Sequence, residues 1–196
     1  MKTWDEVRTW RAVIRKKLIE RRARISAEQH RRDCRRIEAT LTPILRKFQA
    51  KTMGFYWPAL EGEFDPLPLV RPFLESGGTV ALPVFESPGA PMQFCRWAPG
   101  CPLVPGAFKI PMPKEREVVT PDVILVPVIG IDQHGYRLGL GAGLYDRTLA
   151  VLDPRPYAIG IGFEFQRLET IYPQPVDMPM DLVVTETGQH LPKRRS

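Results

Sequence analysis

The spacing of apolar residues along the chain changes near residue 51. Before that point, apolar side chains recur every three or four residues, which is the period of a helix with one buried face. Trp10, Ile14 and Leu18 form such a stripe. The segment Thr3–Glu6 fits a capping box, in which the two side chains satisfy each other's free backbone N–H groups. We therefore predict a first helix that starts after Thr3 and ends near Arg24.

A second helix is predicted from near Ala27, because Ser26–Gln29 fits another capping box. Pro43 is expected to kink or interrupt this helix, since proline lacks the N–H group and collides with the preceding turn. The apolar stripe of this second helix comprises Cys34, Ile37, Leu41, Leu45 and Phe48.

Short apolar runs replace the helical spacing in the rest of the chain. Val123–Ile131 is the best strand candidate, because a continuous apolar run suits a strand that is covered on both faces. Pro99–Pro113 contains five prolines and is predicted to be a loop. The other predicted strands are Met53–Trp57, Thr79–Phe85, Met92–Trp97, Tyr157–Phe163 and Leu182–Thr185, and the other predicted helices are Leu67–Leu74 and Tyr145–Leu152.

The alternation of strands with helices predicts an α/β fold. We expect a three-layer α/β/α arrangement with a mostly parallel central sheet and the two N-terminal basic helices packed on it. The length of 196 residues fits one domain, which we place at residues 1–190. The basic tail 191–196 is expected to be disordered.

The composition is that of an ordinary soluble protein, with 43% hydrophobic and 26% charged residues. No apolar run approaches the roughly 20 residues that span a bilayer, and the N-terminal segment lacks the apolar stretch of a secretory signal. Cys34, Cys95 and Cys101 form no C-x-x-C pair, so reduced thiols are expected rather than a zinc cluster or disulfide framework. These features favour a cytoplasmic protein without a membrane partner.

The net charge of +6 is unevenly distributed. Residues 1–51 contain sixteen Lys and Arg against six Asp and Glu, whereas the remainder of the chain is mildly acidic. A basic segment attracts anions such as nucleotides, nucleic acids or a polyanionic substrate. Most of these charges are also explained by a solvated helix face.

A glycine-rich segment at residues 135–147 follows the best strand candidate and precedes a predicted helix. Ligands of open α/β sheets bind at the carboxyl ends of such strands. Alternating glycines let backbone N–H groups approach an anion, and the helix start adds partial positive charge. The segment has neither the Gly-Lys-Ser/Thr ending of a P-loop nor the last glycine of a dinucleotide fingerprint, because Leu144 stands there. A phosphate-binding loop is predicted, with a flexible turn as the alternative.

Charged residues on either side of the glycines support a phosphate site. Arg137 could pair with phosphate oxygens through two parallel N–H groups. Asp146, in the first turn of the predicted helix, could hold a Mg²⁺ ion that bridges phosphates. A helix-capping aspartate is the simpler explanation of Asp146.

The whole pattern resembles the 5-formyltetrahydrofolate cyclo-ligase family. The strongest segment is Pro121–Arg147, which is similar to the family's strand followed by D-x-x-G-x-R-L-G-x-G-x-G-Y-Y-D-R. Further segments agree in order along nearly the full chain: Arg11 with Arg15, Arg22 with Ser26, Tyr56–Pro58 with Glu63–Asp65, Phe108–Pro113, Gln166, Asp177, Asp181 and Thr185–Glu186.

This resemblance implies an ATP-dependent ligase that converts 5-formyltetrahydrofolate to 5,10-methenyltetrahydrofolate, ADP and phosphate. ATP would phosphorylate the formyl oxygen, and N10 of the folate would attack the activated carbon. The implied cofactors are ATP and Mg²⁺. The implied partner is a small-molecule folate, with or without a polyglutamate tail, and the protein would be a monomer that binds no nucleic acid.

Residue roles follow from the same resemblance. Trp57, Glu63, Phe108 and Tyr145 should bind the folate, although Trp57 and Phe108 could equally be core residues and Glu63 a solvated loop residue. Asp146 and Asp177 should bind the metal, and Arg137 and Tyr145 are the candidate catalytic residues. ATP should contact Arg11, Arg15, Arg137, Leu138, Gly139, Leu140, Gly141, Ala142, Gly143, Leu144 and Tyr145.

Several positions depart from the family pattern. Leu144 stands in place of an aromatic residue, and Val176 in place of the histidine before the metal-binding aspartate. Ala142, Met112, Arg11 and Cys34 also differ from the usual residues. The Leu144 and Ala142 changes are compatible with phosphate binding, but they bring folate stacking and catalytic rate into question.

Two other functions remain open on the sequence. A diverged enzyme could use ATP to activate a substrate other than folate, as Leu144 and Val176 would suggest. A nucleic-acid-binding module could use the basic residues 1–51. Against the module, aromatic residues are not interleaved with those charges, and both basic helices keep apolar stripes for docking on the domain.

Overall fold

The computed structural model describes residues 2–48, 51–87, 89–106 and 110–193 of the chain. Its helices are α1 (Trp4–Ala23), α2 (Ala27–Leu45), α3 (Leu67–Glu75) and α4 (Leu144–Val151). Its strands are β1 (Thr52–Gly54), β2 (Thr79–Val84), β3 (Gln93–Trp97), β4 (Leu103–Pro105), β5 (Pro111–Pro113), β6 (Val123–Pro127), β7 (Gly130–Asp132), β8 (Arg137–Leu138), β9 (Tyr157–Ile161), β10 (Arg167–Leu168), β11 (Leu182–Thr185) and β12 (Gly188–His190).

A seven-stranded sheet in the order β12-β11-β9-β6-β1-β2-β3 forms the centre of the fold. Its five inner strands are parallel, and the two edge strands β12 and β3 run antiparallel to their neighbours. A small sheet in the order β10-β7-β8 and the pair β4-β5 lie beside it. The prediction of an α/β fold with a mostly parallel central sheet is confirmed.

The core lies on both faces of this sheet, as alternate residues of β6 illustrate. Val123 and Leu125 belong to one cluster, together with apolar side chains of α2 and α3. Ile124 and Val126 belong to a second cluster, which includes Leu149 of α4. Because successive side chains of a strand point to opposite faces, a strand between two helical layers is apolar throughout. This arrangement is the three-layer one that the sequence predicted.

The ends of the first two helices were predicted closely. At the start of α1, Thr3 and Glu6 form both bonds of the capping box. At the start of α2, Ser26 caps the Gln29 N–H, but the Gln29 side chain donates to Asp33 instead of completing a box. Pro43 does not interrupt α2, which continues through this residue to Leu45, and the alternative expectation of a kink stays a prediction.

The strand predictions were less accurate at their ends. The first strand stops at Gly54, and the long run from Val123 divides into β6 and β7. The chain turns between them, and Gln166 donates to the carbonyl oxygens of Val128 and Ile129 at 3.1 and 2.9 Å. The predicted proline-rich loop contains β4 and β5, and the short strands β8, β10 and β12 were missed.

Helix α1 lies where the parallel strands end, whereas α2 packs on a sheet face. Arg15 of α1 donates to the carbonyl oxygen of Gly139 at 2.7 Å, and Arg22 donates to that of Glu61 at 3.2 Å. Both acceptors are in loops that follow strands. The first basic helix therefore forms a wall along the carboxyl ends of the sheet, where α/β proteins bind ligands.

The basic tail is described as far as Lys193. Its backbone N–H donates to the Gln133 carbonyl oxygen at 2.9 Å, and its own carbonyl oxygen lies 2.8 Å from His134 Nδ1. Residues 194–196, on which the rest of the predicted disorder falls, lie outside the described residues. Across the described chain, no helix combines the length and apolarity needed to cross a membrane.

Replacement of Leu41 by alanine should destabilise the fold, because this α2 side chain is fully buried against the sheet. Removal of a buried leucine typically costs about 3 kcal/mol. Urea unfolding followed by circular dichroism should show this loss. Val13→Ala removes an exposed apolar side chain of α1 and should change the unfolding free energy by less than about 0.5 kcal/mol. Equal effects of the two variants would contradict the layer assignment.

Candidate active site

A cleft of about 850 Å³ opens at the carboxyl ends of the parallel strands. One face of α1 forms one wall, and the glycine-rich segment with the start of α4 forms the opposite side. Residues after β1 line the cleft as well. Every residue that the sequence analysis placed in the site lies along it, apart from Phe108, which lies outside the described residues: Arg11, Arg15, Trp57, Glu63, all residues from 137 to 146, and Asp177.

The glycine-rich segment has the backbone geometry of an anion-binding turn. Gly141 and Gly143 adopt φ values of +105° and +62°, which favour glycine. Gly143 is the N-cap of α4 and provides no side-chain acceptor for the first turn of this helix. The N–H groups at a helix start and its dipole attract negative charge. This part of the cleft can therefore accept a phosphate group.

Arg15 points from α1 at the same turn. Its guanidinium carbon lies 3.7 Å from the position that a Cβ atom on Gly141 would occupy. Among the described residues, no carboxylate forms an ion pair with Arg15, and its Nε donates to a carbonyl oxygen. Burial lowers the pKa of Arg15, and the neighbouring positive charge of Arg11 lowers it further. Such an uncompensated, partly desolvated cation favours the binding of an anion.

Arg11 makes a different set of contacts. It forms an ion pair with Asp177, with Nη2 2.5 Å from Oδ2, and donates to the carbonyl oxygens of Ile171 and Tyr172 at 3.0 Å each. Most of its N–H groups are thus committed within the protein. The structure places Arg11 beside Arg15, but its main observed contacts hold the segment after β10 against α1.

The buried Arg137 and the partly buried Asp146 form an ion pair with two hydrogen bonds. Arg137 Nη1 and Nη2 donate to the two carboxylate oxygens of Asp146 at 2.9 and 3.2 Å. Asp146 also accepts from the Met178 backbone N–H, so it does not act as a simple cap of its own helix. The Arg137 Nε is buried and has no acceptor within the described chain. Its guanidinium carbon lies 5.4 Å from the ring centroid of Tyr145.

Tyr145 is partly buried at the cleft, and its hydroxyl is neutral at neutral pH. Burial raises the pKa of its hydroxyl well above the usual value, whereas the Arg137 charge opposes this shift in part. Tyr56 shares the cleft, and its hydroxyl donates to the Phe64 carbonyl oxygen at 3.0 Å. These two rings form an apolar lining on which a flat heterocycle could pack.

Glu63 is buried rather than solvated, with 9% of its surface exposed. One carboxylate oxygen accepts from the backbone N–H groups of Ala59 and Leu60 at 2.7 and 3.2 Å. The other lies 3.4 Å from Arg22 Nη2, in a buried ion pair. A carboxylate has about four acceptor positions, so these contacts leave one for a ligand in the cleft.

Trp57 contributes to both the core and the cleft. Its ring packs edge-on against Phe55 and Trp97, at centroid distances of 6.2 and 6.0 Å. Its indole Nε1 is buried without an acceptor in the described structure. Because a buried unpaired donor is costly, a ligand acceptor at this position would be favourable.

The predicted metal ligands do not form a preassembled cation site. Asp146 and Asp177 are each paired with an arginine, and the described residues contain no group of three acidic, histidine or cysteine side chains that could hold a metal. Mg²⁺ often binds through one or two carboxylates together with substrate phosphates and water. The donors present therefore fit a Mg²⁺ site that phosphate oxygens complete. Metal binding stays a prediction.

Several residues that line the cleft were not predicted from the sequence. Trp4 and Arg8 share the α1 face with Arg11 and Arg15, and this could have been recognised from their helical spacing. Tyr56 was noted only as part of a motif. Met92 and Ile110 come from distant parts of the chain, and no local signal in the sequence indicated them.

Comparison with known proteins identifies close relatives by sequence. The sequence model of the 5-formyltetrahydrofolate cyclo-ligase family matches residues 7–186. The 5-formyltetrahydrofolate cyclo-ligase of Escherichia coli K12 is 33% identical over 134 residues, which cover 65% of this chain and 74% of that protein. The Mycolicibacterium smegmatis protein of the same name is also 33% identical, over 71% of this chain and 75% of the relative.

Solved structures agree with this result. The 5,10-methenyltetrahydrofolate synthetase of Aquifex aeolicus superposes with a TM-score of 0.80 at 32% identity and covers 95% of each chain. The Mycoplasma pneumoniae synthetase, at 24% identity and a TM-score of 0.73 over 90% of this chain and 98% of that one, supports the fold. With the family match over 7–186, these findings show that the chain belongs to the 5-formyltetrahydrofolate cyclo-ligase family of ligases.

Proposed function

We propose that this protein catalyses the ATP-dependent conversion of 5-formyltetrahydrofolate to 5,10-methenyltetrahydrofolate, with release of ADP and phosphate. The observation that carries the proposal is the presence of an anion-binding turn and a lined heterocycle pocket in one cleft. The anion-binding turn, called the phosphate turn from here on, consists of Gly139–Gly143 with Arg15. The heterocycle pocket, called the Glu63 pocket, consists of Tyr56, Trp57, Glu63 and Tyr145. The family relatives named above support the choice of folate.

The phosphate turn supports the nucleotide part of this proposal. Phosphoryl transfer depends mainly on positioning and on neutralisation of charge. The start of α4 supplies backbone N–H groups, and Arg15 supplies a cation that no protein carboxylate compensates among the described residues. Arg137 has an unpaired Nε at the cleft and could contact the transferred phosphoryl group. The chain therefore offers donors, and the reaction requires no protein nucleophile.

The heterocycle pocket supports the folate part. The free acceptor position of Glu63 would take an N–H group of the pterin, and the Trp57 indole N–H would donate to one of its acceptors. The neutral ring of Tyr145 would pack on the flat heterocycle between this pocket and the glycine turn. The formyl oxygen would then face the γ-phosphate. Phosphorylation of this oxygen turns it into a leaving group, and N10 attacks the carbon as phosphate departs.

Mg²⁺ is the proposed cofactor, bound by Asp146 or Asp177 together with phosphate oxygens. When bound, it would neutralise charge on the phosphates. Asp146 could exchange part of its pairing with Arg137 for this role, which would release the arginine towards the substrate.

The direct test is incubation of the protein with ATP, Mg²⁺ and 5-formyltetrahydrofolate. Growth of the methenyl product's absorbance is expected, and omission of ATP or chelation of Mg²⁺ should abolish it. ATP hydrolysis without formation of the methenyl product would indicate that the protein uses ATP to activate a substrate other than folate. Absence of both ATP binding and product formation would overturn the proposal.

Arg15→Leu should raise KM for ATP about tenfold or more, because a hydrogen bond to a charged group contributes roughly 1.5–3 kcal/mol. Steady-state kinetics with saturating folate measures this change. Lys16→Leu is the matched control, since it removes the same charge from the next residue of α1, whose side chain is 80% exposed outside the cleft. An equal rise in KM for ATP in both variants would show a general effect of positive charge and not a direct contact between Arg15 and ATP.

Trp57→Phe should raise KM for 5-formyltetrahydrofolate about fivefold and leave KM for ATP unchanged, because it removes one hydrogen-bond donor and keeps a ring. Trp97→Phe is the matched control. Its indole Nε1 is also buried without an acceptor in the described chain, but it lies outside the cleft. If the Trp57 change leaves folate KM unaltered, the donor role is wrong.

A further inference from the structure

The outer part of the cleft exposes apolar side chains that the roles described above do not use. Eight large apolar side chains are exposed among the described residues, and three of them, Trp4, Leu140 and Val176, line the cleft. Trp4 is 49% exposed and Val176 is 75% exposed. An apolar surface in a cleft that also contains arginines suits a flat, anionic ligand with apolar faces.

Arg11 connects these side chains to the phosphate turn. Its guanidinium carbon lies 5.6 Å from the Trp4 ring centroid, and its Nη2 pairs with Asp177, the neighbour of Val176. Arg11 is also next to Arg15, which contacts the phosphate turn. The tryptophan ring therefore lies beside the place where phosphates are proposed to bind.

The parts of the cleft follow one another along the length of helix α1. Trp4 is at its first turn, Arg11 and Arg15 are in its middle, and Arg22, which pairs with Glu63, is at its last turn. With a rise of 1.5 Å per residue, about 27 Å of helix separate Trp4 from Arg22, and about 10 Å separate Trp4 from Arg11. The phosphate turn thus lies between the Glu63 pocket and the Trp4 end.

This order fixes the direction of a bound nucleotide. On the proposed function, on which this inference rests, the γ-phosphate must face the formyl group in the Glu63 pocket, since phosphoryl transfer requires in-line contact. The nucleoside must then extend away from that pocket, towards the first turn of α1. Trp4 is the aromatic side chain that lines this end of the cleft in the described structure.

We infer that Trp4 is the stacking platform for the adenine base of ATP, with Val176 contributing apolar contact beside it. Stacking on a tryptophan adds affinity for the base without hydrogen-bond readout. Trp4 would act on nucleotide affinity alone, whereas Arg15 and the glycine turn would act on the phosphates.

The test compares ATP with inorganic tripolyphosphate, which has the phosphates and lacks the base. Isothermal titration calorimetry in the absence of folate should show that Trp4→Ala weakens ATP binding about tenfold, as expected for loss of one stacked base. Tripolyphosphate affinity should not change. Trp4→Tyr keeps a ring and should retain most of the ATP affinity. Val13→Ala, an exposed apolar residue of the same helix outside the cleft, is the control that should change neither.

The possible outcomes separate this inference from the proposed function. Failure of the unaltered protein to bind either ligand would overturn the proposed function itself. If the unaltered protein binds normally and Trp4→Ala loses affinity for ATP and for tripolyphosphate equally, Trp4 merely supports Arg11. A rise in KM for 5-formyltetrahydrofolate with unchanged ATP affinity would assign this end of the cleft to the folate tail. Each of the last two results would overturn the inference for Trp4.

Discussion

The attachment of α1 across the strand ends is the interaction on which the cleft depends. Three arginines of this helix reach inward and bond to loops that follow different strands: Arg11 to the segment after β10, Arg15 to Gly139 after β8, and Arg22 to Glu61 and Glu63 after β1. Because each side chain is long and has several donors, the helix can be held a side chain's length away from the loops. The space between them is the cleft.

The same attachment gives the cleft its charge. Arg22 and Arg11 are neutralised by Glu63 and Asp177, but Arg15 donates to a carbonyl oxygen and pairs with no carboxylate among the described residues. A cation that is partly removed from water and not paired is costly, and an anionic ligand offsets this cost. Three arginines of the basic first helix are therefore directed at the loops around the cleft.

The structure shows where two of the departures from the family pattern lie. Leu144 is the first residue of α4, where its backbone follows the glycine-rich turn, so its side chain can differ without loss of the backbone N–H groups. Val176 is exposed at the cleft beside Asp177. Neither change removes a backbone N–H donor from the glycine-rich turn. Each lies in the lining of the cleft, so each changes the shape of its apolar surface.

By itself, the sequence determined the features that depend on local chemistry. The capping box at Thr3, the helical stripes, the apolar run from Val123 and the glycine-rich segment follow from short-range rules of spacing and backbone conformation. They were enough to predict the layered α/β fold and the glycine-rich side of the cleft, whereas the resemblance to the family supplied Trp57, Glu63 and Asp177. The tertiary structure decided which charges pair. Arg22 with Glu63, Arg11 with Asp177 and Arg137 with Asp146 meet through packing of α1 and of the loops at the strand ends. No local pattern encodes such contacts, because they depend on the positions of whole elements in space.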